Sequence, residues 1–348
     1  MVHFTCVQCT LRDYEPSVGA KAASIFGPTR RTVRSEGTGM TDDTKPYRVL
    51  SLDGGGAKGF YTLGVLKEVE ALVGEPLHQR FDLIYGTSTG AIIAALLCLG
   101  KSADEILALY KEHVVKIMAH KSKHKKSAAL AGLAAEVFGD AKFDAVKTKI
   151  GIVTARWIEE RPMIFKGDVA QAFGRQGSFV PGFGATIGDA VAASCSAYPF
   201  FNRRMVQTSQ GLVELVDGGY CANNPTLYAI NDAIGSLGQG RSRIRVLSVG
   251  VGEYPTPTKA PWRLSYWKER FWLVRLLQKT FEFNTRSMEQ MRFIMFKDVQ
   301  TERINDAFKQ PEMATDMFEH DLGKLDILWQ RGRQSFAARE EQLKKLLL

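Results

Sequence analysis

The chain has 348 residues, 46 Lys or Arg against 37 Asp or Glu, a net charge of +9 and a hydrophobic share of 45%. That composition builds one large domain or two ordinary ones and excludes a disordered or fibrous chain. The basic excess is compatible with nucleic acid, an anionic membrane surface, a phosphorylated ligand or plain solubility.

Residues 1–39 carry no periodicity, and no apolar segment of signal-peptide length accompanies Arg12, Asp13 and Glu15. A poorly ordered N-terminal extension over 1–45 is expected, with Met40 as a candidate native start. Cys6 and Cys9 form one CxxC without a second pair or nearby histidines, which argues against a metal site. The five cysteines, at 6, 9, 98, 195 and 221, are odd in number, and Cys98 and Cys195 sit in apolar or small-residue runs. Reduced thiols in a cytoplasmic protein are expected rather than a disulfide framework.

From Tyr47 strands and helices alternate. Tyr47–Leu52 reads as a strand, Gly59–Val73 as a helix, Phe81–Tyr85 as a strand and Ser88–Leu99 as an apolar helix. Ser102 and Glu105 have capping-box spacing and open an amphipathic helix to about Ala119. The run His120–Lys126 reads as a solvated linker, with contact to an anionic surface as the sharper alternative. Strands follow at Ile150–Ala155 and Met163–Phe165, then a helix capped by Thr186 and Asp189 that ends before Pro199. A strand at Leu212–Val216, a helix at Pro225–Leu237 and a strand at Ile244–Val249 complete the pattern. The alternation predicts an α/β sandwich with a mostly parallel sheet. Pro255 and Pro257 end it, which places a catalytic domain at 46–252. Residues 253–348 are expected to be helical, either completing the domain or binding a regulator. No run reaches the roughly 18 apolar residues of a membrane span, so contact with a membrane without crossing it is expected.

Three motifs carry chemistry. Gly86-Thr87-Ser88-Thr89-Gly90 lies between a strand and an apolar helix, the setting in which G-x-S-x-G exposes a nucleophilic serine on a sharp turn. The helix N-terminus there favours developing negative charge. Asp53-Gly54-Gly55-Gly56-Ala57-Lys58-Gly59 is a second strand–helix turn, whose backbone N–H groups can converge on an oxyanion. The same glycines match G-x-G-x-x-G, so a dinucleotide-binding module is the rival reading, although it leaves the serine turn unexplained. No Gly-Lys-Ser/Thr follows, which excludes a Walker loop.

The third motif is Asp217-Gly218-Gly219, after the strand Leu212–Val216, where the simplest reading is a turn. A serine nucleophile needs a base. The histidines are at 3, 78, 113, 120, 124 and 320, and only His320 follows Asp217, in a stretch read as the helix Asp316–Leu328 without a loop to present it. Asp217 is therefore favoured as the sole base. An ordinary carboxylate is a weak base at neutral pH, and burial would correct that.

With the stretch Ala-Ala-Ser-Cys-Ser-Ala-Tyr-Pro-Phe-Phe at 192–201, these motifs resemble those of the patatin-like phospholipases, from about Tyr47 to Val251. The resemblance implies a three-layer α/β/α sandwich and hydrolysis of lipid acyl esters by a Ser–Asp dyad without a cofactor. Ser88 would be the nucleophile, Asp217 the base, and the amides around Gly54, Gly55 and Gly56 the oxyanion hole. Lys58 would order the loop or meet anionic lipid. More narrowly, the chain resembles the patatin-like effectors of bacterial antiphage (CBASS) systems. That implies activation by a cyclic dinucleotide, cyclic GMP-AMP among them, and attack on phospholipid at the inner face of the membrane. A homo-oligomer is an open possibility, and no nucleic acid polymer is expected as a partner. The basic, aromatic stretch around Trp262, Arg263, Arg270 and Arg275 offers candidate nucleotide contacts, beside the plainer reading of an amphipathic subdomain or membrane docking through Trp and Arg.

Overall fold

A computed structural model of the chain describes residues 45–255 and 265–348, with side chains from 272 onward in the second stretch. The N-terminal extension, Met40, the Cys6–Cys9 pair, Trp262, Arg263 and the Arg270 side chain lie outside the described residues.

Strand β1 (Tyr47–Leu52) runs through the glycine loop into helix α1 (Gly59–Val73), and β2 (Leu83–Thr87) turns at Ser88 into α2 (Thr89–Cys98). The capping box at Ser102 and Glu105 is formed, and it opens α3 over Ala103–Leu109. This helix widens to π geometry over Tyr110–Val114 and resumes over Val115–Ala119. Helix α4 (Lys123–Leu133) follows, then β3 (Lys149–Arg156), β4 (Arg161–Lys166) and α5 (Ile187–Ser194), with Thr186 as its cap. The chain continues through β5 (Arg204–Thr208), β6 (Gly211–Asp217), α6 (Thr226–Gly235) and β7 (Ile244–Val249). A long helix α7 (Ser265–Met295), β8 (Gln300–Ile304), α8 (Leu322–Ala337) and α9 (Glu340–Leu347) complete it.

The strands form one sheet in the order β5-β6-β3-β2-β1-β7-β8, with β4 also paired to β3. The central run β3-β2-β1-β7-β8 is parallel, while β4, β5 and β6 are antiparallel. Successive strand residues face opposite sides. Leu50, Leu52, Ile84 and Leu247 pack with Leu63, Ile93 and Leu325 of α1, α2 and α8, and Val49, Tyr85 and Val246 pack with Ala229, Ile230 and Phe296 on the other face. This is the expected three-layer sandwich. Parallel strands bring the β1 and β2 ends, and hence both glycine-bearing turns, to one edge of the sheet.

The structure departs from the sequence reading at four places. The second strand begins at Leu83, where pairing with Val49 starts, and extends to Thr87, so that Ser88 sits directly at its end. The basic run is no linker. From Lys123 it is helical, and Lys126 is buried with Nζ donating to the Met118 carbonyl at 2.9 Å and lying 4.5 Å from the Phe318 ring centre. The C-terminal region is not wholly helical, because β8 adds to the sheet beside β7. His320 precedes α8 rather than lying within it, since Asp321 caps that helix by accepting from the Lys324 N–H. Among the described residues no helix is long and apolar enough to cross a membrane.

Candidate active site

Ser88 has φ 53° and ψ −121°, a backbone conformation that side-chain-bearing residues rarely adopt. The glycines on either side permit it. A methyl at Gly86 would collide with the Gly90 carbonyl, and one at Gly90 with the Leu52 carbonyl. The turn is then pinned from behind. The Ser88 N–H donates to Ser194 Oγ at 2.8 Å, Ser194 Oγ donates to the Val153 carbonyl at 2.6 Å, and Thr87 Oγ1 donates to the Ala222 carbonyl at 2.7 Å. Such over-determination is what allows strain to persist at a working residue.

Asp217 ends β6, opposite Thr154 of β3. Its Oδ2 accepts from Ser88 Oγ at 2.7 Å and its Oδ1 from the Gly219 N–H at 2.7 Å. The carboxyl is fully buried. Burial raises its pKa from 3.8 to about 7, against the opposing hydrogen bonds from Gly219 and Ser88. Among the described residues no histidine bonds to Ser88 or Asp217. His320 is exposed, with Nδ1 3.2 Å from the Phe318 carbonyl oxygen. Glu112, His113 and Glu136 bring metal-ligating atoms within 4.8 Å of one another at the π-widened turns, and none of them bonds to Ser88 or Asp217.

The glycine loop lies beside this pair. The Gly54 N–H is donated to the Asn223 carbonyl at 2.9 Å and the Ala57 N–H to the Met317 carbonyl at 3.0 Å. Gly54 is thus a structural joint, and a side chain there would strike Asn223 Oδ1. Among the described residues the Gly55 and Gly56 N–H groups have no protein acceptor. Gly56 has φ +60° and a methyl on it would meet the Met317 carbonyl, so only glycine suits the position.

Lys58 is 5% exposed, and its amino group makes no hydrogen bond or ion pair among the described residues. Burial lowers its pKa, against the pull of Glu282, Asp316 and Glu253. It lines a cavity of about 40 Å³ with Gly54, Gly55, Asn223 and Arg286. The separate cavity at Ser88 measures about 30 Å³ and is walled by Gly56, Ile92, Ile117, Cys195, Phe201 and Met317.

Residues 50–230 match the Patatin family, described as patatin-like phospholipase. The chain belongs to that family. It is a phospholipase, a hydrolase, and the sandwich described above is the patatin fold. The chain is 59% identical over 302 residues to a cUMP-AMP-activated phospholipase of Escherichia coli, covering 86% of this chain and 94% of that one. It is 28% identical over 217 residues to a cGAMP-activated phospholipase of Pseudomonas aeruginosa, covering 59% of this chain and 62% of that one. It is 27% identical over 324 residues to Patatin-like protein 1 of Arabidopsis thaliana, covering 80% and 77%.

Among the residues named from sequence, Ser88 and Asp217 are brought into direct contact, with Gly54 close against the Ser88 side chain and Gly56 on the wall of the Ser88 cavity, while Gly55 lines the separate Lys58 cavity. Arg275 lies apart from them, exposed on α7. Sequence reasoning missed Ser194, which holds the Ser88 amide, Asn223, which clasps Gly54 by its carbonyl and amide, and Met317, which closes over the loop. It also missed Arg303, whose guanidinium grips Asp53 at the head of the loop. The stretch 192–201 contained Ser194, but nothing local marked it as the partner of a residue 106 positions away.

Proposed function

We propose that this phospholipase cleaves acyl esters of membrane phospholipid through Ser88 and Asp217, acting peripherally at the inner membrane face, and that a cyclic dinucleotide switches it on. The hydrogen bond from Ser88 Oγ to the buried Asp217 carboxylate carries the catalytic part. A base with a pKa near the working pH combines availability with driving force, and about 7 meets that condition.

In the first half-reaction Ser88 Oγ attacks the ester carbonyl while its proton passes to Asp217. The oxyanion forms within reach of the Gly55 and Gly56 N–H groups and the N-terminus of α2, a preorganised field of the kind that lowers acyl-transfer barriers. Collapse expels the lysolipid alkoxide, which takes the proton back from Asp217 and leaves an acyl-Ser88 ester. Water then attacks that ester, giving its proton to Asp217. The second collapse releases the fatty acid and returns the proton to Ser88. Lys58, buried beside the loop, orders it or meets the lipid phosphate.

Two observations support the switch. The two bacterial relatives above are named as cyclic-dinucleotide-activated phospholipases. The cavity at Ser88, about 30 Å³ under Met317, is too small for an acyl ester of a lipid, so productive binding requires the site to open. The dinucleotide-module reading of the glycine loop has less support, because the amides of Gly54, Ala57, Lys58 and Gly59 are already donated to protein carbonyls. The test is fatty-acid release from phospholipid vesicles with and without cyclic UMP-AMP or cyclic GMP-AMP. Stimulation by either supports the switch, and equal activity without them refutes it.

A further inference from the structure

We propose that the cleft walled by Phe173, Arg175, Phe179, Phe183, Lys166 and Gln171 is the activator site and takes a cyclic dinucleotide, two bases joined by two phosphodiesters. The proposal rests on the activation reading above and gives it a location.

Size comes first. This cleft measures about 640 Å³, within the several hundred Å³ of ordinary ligand sites, whereas the cavities at Ser88 and Lys58 measure about 30 and 40 Å³. Chemistry comes second. Phe173 is 57% exposed, so its ring is open to a stacking base. Its ring rests on Gly235 at the end of α6, and Phe183 is held edge-on against buried Phe165 at 5.7 Å. Phe183 is thus backed by the core and Phe173 by the end of α6, two ring faces that can serve as stacking platforms for bases. Phe173 and Phe183 both have φ 51°, so the segment stores backbone strain at two of its aromatic positions.

Charge comes third. Among the described residues the Arg175 guanidinium has no hydrogen bond or ion pair, although it lines the cleft. A planar guanidinium suits a phosphodiester. Ser178, Ser209 and Gln210 add hydroxyl and amide groups for base edges and ribose.

The cleft also connects to the nucleophile's strand. Lys166 Nζ donates to Asp232 Oδ1 at 2.6 Å, and Gln171 Nε2 donates to Asp232 Oδ2 at 2.9 Å. The same Oδ2 accepts from the Tyr85 hydroxyl at 2.8 Å. Asp232 is 2% exposed, and Tyr85 lies on β2, three residues before Ser88. A phosphate that draws Lys166 away leaves a buried carboxylate short of a cation, and the group must re-pair. The ligand therefore has a differential contact with two arrangements of this network, which a population shift requires.

The test uses the full chain, calorimetric titration with cyclic UMP-AMP and cyclic GMP-AMP, and fatty-acid release from phosphatidylethanolamine–phosphatidylglycerol vesicles. Arg175→Ala is expected to weaken binding roughly tenfold, the loss of one charge-assisted hydrogen bond. Phe173→Ala is expected to weaken it by about five- to a hundredfold through lost stacking. The half-activating concentration moves by the same factors, and Arg275→Ala moves neither. Both altered side chains are exposed, and the thermal midpoint of each variant checks its fold. Arg175→Lys supplies a second variant that keeps the charge and is expected to restore part of the affinity. Tyr85→Phe is expected to bind within about threefold of wild type yet lose most of the stimulation. Unchanged binding in Arg175→Ala and Phe173→Ala, with wild type binding and responding, overturns the cleft alone. Full stimulation of Tyr85→Phe overturns the route through Asp232. A wild-type chain that neither binds nor responds overturns the activation reading, and the cleft with it.

Discussion

Arg303 on β8 holds Asp53, at the end of β1, in a bidentate ion pair 250 residues apart, with Nη1 at 2.8 Å from Oδ1 and Nη2 at 2.5 Å from Oδ2. Nη1 also donates to Ser248 Oγ at 2.8 Å. The pair fixes the first residue of the glycine loop, and it ties the C-terminal region into the sheet edge that carries the site. Arg303→Ala strands a buried carboxylate, and the expected loss of stability is about 3–5 kcal/mol. Arg303→Lys keeps a charge but not the fork, and should recover only part of it. Urea unfolding of both variants checks this. Stability of Arg303→Ala within experimental error of wild type would contradict it.

The pH–rate profile should show a single acidic limb in kcat/KM with an apparent pKa near 7. Burial raises the Asp217 carboxyl to about 7, and the base works only when deprotonated, so the rate falls as pH drops below that value. A limb near the ordinary carboxylate value of 3.8 would mean that the carboxyl is not held as described.

Stability should run the other way. The folded chain holds the Asp217 proton more tightly than the unfolded chain does. The stability this lends is fully present below about pH 4, and it is lost as pH rises toward 7. At pH 8 the buried carboxylate therefore costs on the order of 4 kcal/mol. Asp217→Asn should abolish turnover yet unfold at a higher temperature than wild type at pH 8, with a stability gain on the order of 2–4 kcal/mol. Thermal melts at pH 5 and pH 8 check the sign. A larger gain at pH 5 than at pH 8 would contradict the assignment.

Much of this was legible locally. Ser88 and Asp217 each sit in a short pattern whose turn geometry follows from its glycines, and the alternation of apolar strands and amphipathic helices announced the sandwich. The edge strands were not legible. Arg204–Thr208 and Gln300–Ile304, at the two edges of the sheet, lack an apolar run because most of their side chains are only half-buried or exposed. Lys126 was read as solvated because a lysine in a basic run normally is, and only the fold reveals the Met118 carbonyl and Phe318 ring that receive it. The oxyanion loop was legible as a loop, but which of its amides remain free depended on Asn223 and Met317, residues distant in sequence.

His320 is the only histidine after Asp217 in sequence, and it lies exposed outside α8. His320→Ala should leave kcat/KM within about twofold of wild type, as for a surface substitution away from the site. A collapse of activity with an unchanged melting temperature would restore a three-residue mechanism.

The most direct test is fatty-acid release from phospholipid vesicles by Ser88→Ala and wild type, each with cyclic UMP-AMP and each shown to be folded. Loss of a serine nucleophile should lower kcat by roughly 10⁴-fold or more. Activity of Ser88→Ala within about tenfold of wild type would contradict the assignment of Ser88, and with it the dyad.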